Sequence, residues 1–332
     1  MSLKSFSNRL KIFRDYSLKK SRVSSYPVEY YLDISEVCNL MCPMCSCTIL
    51  HKDKNRAVMQ LNTFETIIQK IKNYAGFIFL TGKGEPLLNP NFIEFVKICK
   101  KEGIRVGTST NCTPLTEELS RKIIESGLDY IIFPLESTNK ADYEKIRVGA
   151  NFETVVRNIN RFLLLKKQLE SDIFVVLQSL SSEKKLNKYY KLYKKQIMAL
   201  FKENYKYIDN IRLKPLIDFH KIKHWHSKPC LLLWRNAFIN FEGNVLSCFA
   251  DTNEIYVFGN LLQENMMNIW NSEKMQYLRK MNSKPETMNK LETCQYCDLR
   301  NEYSNAGALL ASSIVGPFFS RKIYSIYERY FI

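Results

Sequence analysis

The sequence predicts an α/β protein, a partial (β/α)6 TIM-like barrel followed by a small cysteine-rich α+β domain. Two observations carry this prediction. From residue 29, short apolar runs alternate with stretches whose apolar residues recur every three or four positions, which is typical of βα units around a parallel sheet. From about residue 216, short strands, turns and paired cysteines replace that alternation. The change of pattern indicates a second domain.

Six apolar runs have the length and residue types of strands in a parallel sheet. They cover residues 29–35, 77–81, 104–109, 130–135, 173–180 and 210–215. Six βα units are fewer than the eight that close a TIM barrel, so an open, partial barrel is expected. Ligands of such sheets bind beyond the carboxyl ends of the strands, and functional residues are therefore expected just after each strand.

Helical periodicity fills the gaps between the strands, with Thr or Asn at some N-termini and Gly at some C-termini. These helices are predicted at residues 63–74, 91–103, 116–127 and 152–168. In the second domain, residues 236–251 predict a hairpin with Gly243 at its turn, and residues 265–281 predict one amphipathic helix. The predicted divisions are a basic N-terminal extension (1–27), the barrel (28–215), the cysteine-rich domain (216–305) and an amphipathic, basic C-terminal tail (306–332).

The 332 residues carry a formal net charge of +16, which is spread along the chain. Clustered basic charge binds nucleic acid, but no RRM, KH or zinc-finger pattern accompanies it here, so a nucleic-acid partner is not expected. No apolar run reaches the roughly 20 residues of a membrane-spanning helix, and the N-terminus lacks the apolar middle of a secretory signal. These features predict a cytoplasmic protein.

Seven of the ten cysteines fall into two groups, which favours metal binding or redox chemistry in a reducing compartment. The first group, Cys38, Cys42 and Cys45, has the spacing C-x3-C-x2-C just after the first strand. Three thiolates can bind three irons of a four-iron cluster and leave one iron open to a small molecule that carries an amine and a carboxylate. Buried, inert thiols and a zinc site without its fourth ligand are the alternatives.

The motifs that follow the first group add specificity. After C-x3-C-x2-C come TGKGEPLLNP, then STN, then a strand that ends in LES, and then YEKIR. This order resembles the radical S-adenosylmethionine (radical SAM) superfamily. The resemblance implies a partial (β/α)6 barrel, a [4Fe–4S] cluster held by the three cysteines, and reductive cleavage of S-adenosylmethionine to a 5′-deoxyadenosyl radical.

The resemblance also implies which residues contact S-adenosylmethionine. In the family, a Gly-Glu-Pro motif receives the methionine amino group, the ends of the next strands contact the ribose or the methionine carboxylate, and the residue before the third cysteine packs near adenine. An arginine fork suits the carboxylate, although an ion pair at the surface is the alternative for that arginine. In this sequence the matching residues are Gly84, Glu85, Pro86, Ser109, Asn111, Glu136, Ser137, Arg147 and Met44.

The second group, Cys230, Cys248, Cys294 and Cys297, places four thiolates in the C-terminal domain. Four thiolates can bind a tetrahedral zinc ion or a four-iron cluster. The surrounding segments, INFEGNVLSC and CQYC among them, resemble the SPASM or shorter twitch extension of radical SAM enzymes. Because no cysteine follows Cys297, the resemblance implies one auxiliary [4Fe–4S] cluster. With four protein ligands, that cluster is expected to accept an electron, which implies a net oxidation.

Other residues have both a structural and a functional interpretation. Cys47 and Cys99 are predicted to be packed thiols, whereas Cys112 either packs or donates hydrogen to a substrate radical. A loop is predicted around His220, His224 and His226, with substrate contact as the alternative. Core positions are predicted for Trp234, Phe241 and Trp270. The C-terminal tail either packs on the barrel or makes a peripheral membrane contact.

The combined prediction is a radical SAM oxidoreductase that abstracts hydrogen from a carbon of a small or carbohydrate-type substrate, with flavodoxin or ferredoxin as the reducing partner. A small substrate is favoured because about 28 residues precede the barrel and show no strand alternation for peptide binding. Two alternatives remain open. One is a peptide-modifying maturase of the same superfamily, and the other is a non-catalytic metal-binding protein that binds nucleic acid.

Overall fold

The computed structural model describes residues 3–45, 48, 57–181, 186–215, 228–251 and 253–297. The strands are Glu29–Asp33 (β1), Phe77–Thr81 (β2), Arg105–Ser109 (β3), Tyr130–Pro134 (β4), Phe174–Ser181 (β5), Asn210–Pro215 (β6), Asn236–Ile239 (β7), Asn244–Leu246 (β8) and Val257–Asn260 (β9). The α-helices are Leu3–Ser17 (α1), Leu61–Ile71 (α2), Phe92–Lys101 (α3), Glu117–Glu125 (α4), Lys140–Ile146 (α5), Phe152–Gln168 (α6), Leu186–Phe201 (α7), Leu232–Arg235 (α8), Met266–Trp270 (α9), Glu273–Asn282 (α10) and Pro285–Met288 (α11). Short 3-10 helices form at Pro86–Leu88, Lys202–Tyr207 and Cys294–Tyr296.

The chain divides into two compact units. The barrel unit comprises residues 33–61 and 79–216, and the cysteine-rich unit comprises residues 1–32, 62–78 and 217–332. The prediction of six strands is confirmed, and each strand lies within two residues of its predicted limits. No helix in the described ranges is long and apolar enough to span a membrane.

The barrel unit is a mixed α/β layer structure with strand order β6-β5-β4-β3-β2. The strands from β3 to β6 pair in parallel, with Ile132 opposite both Ser109 and Val176. Strand side chains alternate between the two faces of the sheet. On one face Phe133 meets Phe162 of α6 edge-on, with ring centroids 5.1 Å apart. Helix packing therefore covers that face, and the other face is left to line the interior of the partial barrel.

The loop that carries the first cysteine group lies directly on the chain leaving β2. The N–H of Gly84 donates to the carbonyl of Ser35 at 2.8 Å, and that of Glu85 donates to the carbonyl of Val37 at 2.7 Å. A Cβ atom on Gly84 would lie 2.3 Å from the Val37 oxygen, and one on Gly82 would lie 2.5 Å from the Ser35 oxygen. These oxygens belong to the backbone and have little room to move, so glycine is required at both positions.

The cysteine-rich unit contains strands in the order β1-β7-β8-β9. Strand β7 pairs in parallel with β1 and antiparallel with β8. The predicted hairpin is confirmed, since Gly243 adopts a φ of +87° at the turn between β7 and β8. The N-terminal extension, predicted only as basic, forms α1, whose Tyr16 ring packs edge-on against Trp234 with centroids 5.5 Å apart.

The prediction of one helix over residues 265–281 is wrong. The chain forms α9 and α10 instead, because Ser272 interrupts the helix and its hydroxyl accepts a hydrogen bond from the Met275 N–H at 3.3 Å. Serine is a favoured N-cap residue, so it starts a new helix here. The predicted helix at 63–74 begins two residues earlier, at Leu61, whereas Thr116 caps α4 as predicted.

Replacing Gly84 with alanine is expected to destabilise the protein by about 1–3 kcal/mol, because the added methyl group overlaps backbone oxygen. Gly76→Ala is the matched control, since its Cβ would first meet the flexible guanidinium of Arg9 at 3.1 Å. Urea unfolding midpoints of the two variants provide the measurement. A loss for Gly84→Ala no larger than that for Gly76→Ala would contradict this account of the loop contact.

Candidate functional site

Glu85 joins the ends of two neighbouring strands in the barrel unit. Glu85 as a whole residue is only 3% exposed. One oxygen of its carboxylate accepts a hydrogen bond from the N–H of Leu87 at 3.1 Å, and the other accepts one from the N–H of Asn111 at 2.7 Å. Burial raises the pKa of Glu85, and these hydrogen bonds oppose the rise. The residue thus caps the 3-10 helix that begins at Pro86 and fixes the segment after β3.

A second polar network fixes the start of the cysteine loop. The amide of Asn111 donates to the Asn39 oxygen at 3.0 Å, and the amide of Asn39 donates to the Thr113 hydroxyl at 2.7 Å. Asn39 directly follows Cys38, so the network ties the first thiol to the end of β3. Sequence reasoning missed Asn39 and Thr113. Their signal was an amide next to a cluster cysteine and a threonine two residues after Asn111.

Glu136 and Arg147 form a buried, two-pronged ion pair. The Arg147 Nε donates to one carboxylate oxygen at 2.8 Å and Nη2 donates to the other. The side chains are 14% (Arg147) and 1% (Glu136) exposed, so the alternative of a surface ion pair is wrong. Burial lowers the pKa of Arg147, but the charge and hydrogen bonds of Glu136, together with Cys42 and Tyr143, raise it, and the net shift is upward. Arg147 is thereby held as a cation, with Nη1 4.0 Å from the Cys42 sulfur.

The three thiols of the first group lie within electrostatic reach of one another. Burial raises the pKa of Cys42, Arg147 lowers it, and the thiols of Cys45 and Cys38 raise it further. A buried thiolate needs nearby positive charge, and iron supplies such charge where thiolates bind it. The donor set therefore fits an iron–sulfur cluster. Met44, partly exposed, lies beside Cys45 in the same loop.

The other predicted residues of this site occupy strand ends. Ser109 is the last residue of β3 and is partly exposed. Ser137 follows Glu136, and its hydroxyl accepts the N–H of Asn139 at 3.0 Å. Pro86 is buried in the 3-10 helix that Glu85 caps. All of these residues belong to the barrel unit, as do the three cysteines.

The second cysteine group lines one cavity within the cysteine-rich unit. Cys230, Cys248, Cys294 and Cys297 all border it, beside apolar side chains such as Leu232. Burial raises the pKa of Cys248 well above its usual value, and the other three thiols raise it further. Four thiols around one apolar cavity form a donor set that fits an iron–sulfur cluster.

Across the described ranges, no three or more His, Cys, Asp or Glu side chains are arranged to hold a single metal ion. The ligands of an iron–sulfur cluster bind different iron atoms of the cluster, so this finding applies only to sites that hold one metal ion.

Cys99 is buried, and burial raises its pKa to about 12, which confirms a packed thiol. Cys112 is also buried, and its thiol donates to the Thr110 carbonyl at 3.3 Å, which supports the packed interpretation.

The predicted core positions Trp234 and Trp270 are fully buried, whereas Phe241 is only partly buried. Several predictions fall outside the described residues. They concern Cys47, His220, His224, His226 and the tail from residue 306.

Replacing Arg147 with alanine is expected to destabilise the protein by about 3–5 kcal/mol, because it leaves the Glu136 carboxylate buried without its cation. Lys140→Ala is the matched control on α5. Its ion pair with Glu153 is 54% and 55% exposed and screened by solvent, so its loss is expected to have little effect on stability. Free energies of unfolding in urea test the contrast, and equal losses would refute a stabilising buried pair.

Comparison with known proteins assigns both regions. The family model for the radical SAM superfamily matches residues 32–178, and the SPASM model, an iron–sulfur cluster-binding domain, matches residues 230–298. The tungsten-containing aldehyde ferredoxin oxidoreductase cofactor-modifying protein of Pyrococcus furiosus is 25% identical, over 82% of this chain and 87% of its own length. The S-adenosyl-L-methionine-dependent 2-deoxy-scyllo-inosamine dehydrogenase of Niallia circulans is 24% identical, over 80% of this chain and 91% of its own length.

A solved structure, Streptococcus suis SuiB bound to precursor peptide SuiA, aligns with a TM-score of 0.60 at 13% identity, covering 90% of this chain and 80% of SuiB. At that identity the likeness shows the fold alone. The cofactors of the matched families are S-adenosylmethionine, the [4Fe–4S] cluster that binds it, and auxiliary iron–sulfur clusters. Fold, cysteine groups and both family models agree that the chain is an enzyme of the radical SAM superfamily with a C-terminal SPASM domain.

Proposed function

We propose that this enzyme oxidises a small, carbohydrate-type substrate after abstracting hydrogen from one of its carbons. One observation carries the proposal, namely that the chain holds two cysteine groups in different surroundings. In the group of three, the Cys42 sulfur lies 4.0 Å from the Arg147 cation, whereas the group of four lines an apolar cavity. The dehydrogenase relative, named for 2-deoxy-scyllo-inosamine, supports the substrate class.

Cys38, Cys42 and Cys45 hold the cluster that binds S-adenosylmethionine, and Cys230, Cys248, Cys294 and Cys297 hold one auxiliary cluster. When loaded, these sites supply one-electron cleavage of S-adenosylmethionine to a 5′-deoxyadenosyl radical at the first group and an electron acceptor at the second. Three thiols leave one ligand position for S-adenosylmethionine. Four thiols leave none, which favours electron transfer over direct binding of the substrate.

The residues proposed to contact S-adenosylmethionine differ in exposure from those proposed to hold them in place. Ser109, Ser137 and Met44 are partly exposed and are proposed to contact it directly. Glu85 and Asn111 are buried and engaged with backbone or amide groups, so their proposed role includes holding the backbone of Gly84 and Pro86 toward the methionine amine. Glu136 holds Arg147, whose Nη1 lies 4.0 Å from the Cys42 sulfur and is proposed to bind the methionine carboxylate.

The proposed oxidation balances for an alcohol carbon. The C–H bond breaks and its hydrogen atom forms 5′-deoxyadenosine. The hydroxyl then loses a proton, the carbon-centred radical loses one electron to the auxiliary acceptor, and a ketone results. A separate one-electron donor, such as flavodoxin or ferredoxin, must supply the electron for cleavage. We place this chemistry in the cytoplasm, where such donors and reduced thiols occur.

Anaerobically purified and reconstituted protein is expected to carry ~8 irons per chain. With a reductant and S-adenosylmethionine it is expected to form 5′-deoxyadenosine, measured by liquid chromatography. Cys38→Ala, Cys42→Ala and Cys45→Ala together are expected to abolish cleavage and leave ~4 irons. Zinc in place of iron in the parent protein, or unchanged cleavage in the triple variant, would reject the proposed function.

Cys294→Ala with Cys297→Ala is expected to uncouple cleavage from oxidation, because the first cysteine group lies in the other unit of the chain. 5′-Deoxyadenosine still forms, while the ketone product is lost when 2-deoxy-scyllo-inosamine and related aminocyclitols serve as trial substrates. Cys99→Ala is the control, since its thiol is buried on α3 outside both groups. Ketone formation by the double variant at the parent rate would exclude an electron-accepting role for the second group.

A further inference from the structure

Asn282 is a polar residue in the apolar wall around the second cysteine group. It is the last residue of α10, it is fully buried, and it borders the cavity that the four thiols line. Met275 and Leu278 occupy the same buried helix face. An amide buried at such a position is costly unless its hydrogen-bonding groups are used. Its contacts therefore indicate what it does.

The contacts of Asn282 fix which way its amide points. Its Oδ1 accepts the backbone N–H of Cys230 at 2.7 Å. Only the oxygen of an amide can accept, so the NH2 group must point away from that N–H. The Nδ2 atom then lies 4.0 Å from the sulfur of Cys294, a long N–H···S contact. Asn282 thus connects two cysteines that are 64 positions apart in the sequence (294 minus 230).

Ser247 is another hydroxyl group beside these sulfurs, and its proton is used elsewhere. Its Oγ lies 3.9 Å from the Cys248 sulfur but only 3.0 Å from an oxygen of the buried Asp251 carboxylate. A hydroxyl has one proton, and a carboxylate at the shorter distance is the stronger acceptor. Unlike the Ser247 hydroxyl, the Asn282 amide is therefore oriented to donate to a cysteine sulfur.

We propose that Asn282 is a positioning residue that holds Cys230 and donates a hydrogen bond to Cys294, and thereby raises the reduction potential of the auxiliary cluster. The inference rests on the proposed function, in which these cysteines bind a cluster that accepts an electron. Reduction adds negative charge to a cluster and its sulfurs, and hydrogen bonds to the sulfurs stabilise the reduced form. The amide makes this cluster a better electron acceptor.

The test is a redox titration followed by EPR on the full chain carrying Cys38→Ala, Cys42→Ala and Cys45→Ala, in which only the second site is loaded. Asn282→Leu removes the donor without adding charge. One hydrogen bond to a charged group corresponds to roughly a tenfold change in the ratio of reduced to oxidised cluster, or about 59 mV for one electron. The potential of the Leu variant is expected to be lower by about that amount.

Two further variants separate tuning from folding. Asn282→Asp keeps an oxygen for the Cys230 N–H and places a second oxygen where the NH2 group stood. Its potential is expected to fall at high pH and, unlike that of the parent, to vary with pH. Asn268→Asp, an exposed position outside the cavity wall, is the matched control and is expected to leave the potential unchanged.

The inference is supported if both Asn282 variants keep four irons and have lowered potentials. It is also supported if only Asn282→Leu loses iron and Asn282→Asp has a lowered potential. Unchanged potentials in both variants, or loss of iron from both, would overturn the tuning role. If the triple-alanine parent holds zinc or no iron at the second site, the proposed function fails as well. That outcome is distinct, because iron analysis detects it before any Asn282 variant is made.

Discussion

The first cysteine group depends on one close backbone contact, in which the loop after β1 lies against the chain that leaves β2. The carbonyls of Ser35 and Val37 accept the N–H groups of Gly84 and Glu85, and neither Gly84 nor Gly82 has room for a side chain. The loop is therefore fixed just before its first thiol. The Glu85 carboxylate extends this contact to the end of β3 through its hydrogen bond with the Asn111 N–H.

The two cysteine groups differ in whether a nearby positive charge favours a buried thiolate. At the first group, the Arg147 cation lowers the pKa of Cys42 against the effect of burial, and the Glu136 carboxylate holds that cation in place. At the second group, burial, the neighbouring thiols and Asp251 all raise the pKa of Cys248. The electrostatic surroundings of the two groups thus differ, as expected if one binds a charged co-substrate and the other transfers electrons.

The fold was predictable to the extent that it follows from local patterns. All six strands predicted for the barrel appear within two residues of their predicted limits, because apolar runs and turns mark them directly. The spacing of the cysteines predicted both groups. The helix break at Ser272 was missed because amphipathic spacing continues across it, although serine is a common N-cap residue.

Most of the polar contacts that position the site residues could not be predicted from the sequence. Asn39 and Thr113 meet Asn111 only because the barrel brings the cysteine loop to the end of β3. Glu85 matched a family motif, but its role as a link between strand ends needed the structure. Asn282 was predictable only as a polar residue in register with the apolar face of Met275 and Leu278. Local spacing identifies such residues as unusual, and tertiary contacts show what they bind.

EPR spectroscopy of the reduced, fully reconstituted protein, recorded with and without S-adenosylmethionine, distinguishes the roles of the two cysteine groups. Two clusters are expected to give signals, and S-adenosylmethionine is expected to change only one of them. That responsive signal is expected to be absent when Cys38, Cys42 and Cys45 are all replaced by alanine. A spectrum that does not respond to S-adenosylmethionine, or a response that persists in the triple variant, would contradict the assignment of the two cysteine groups.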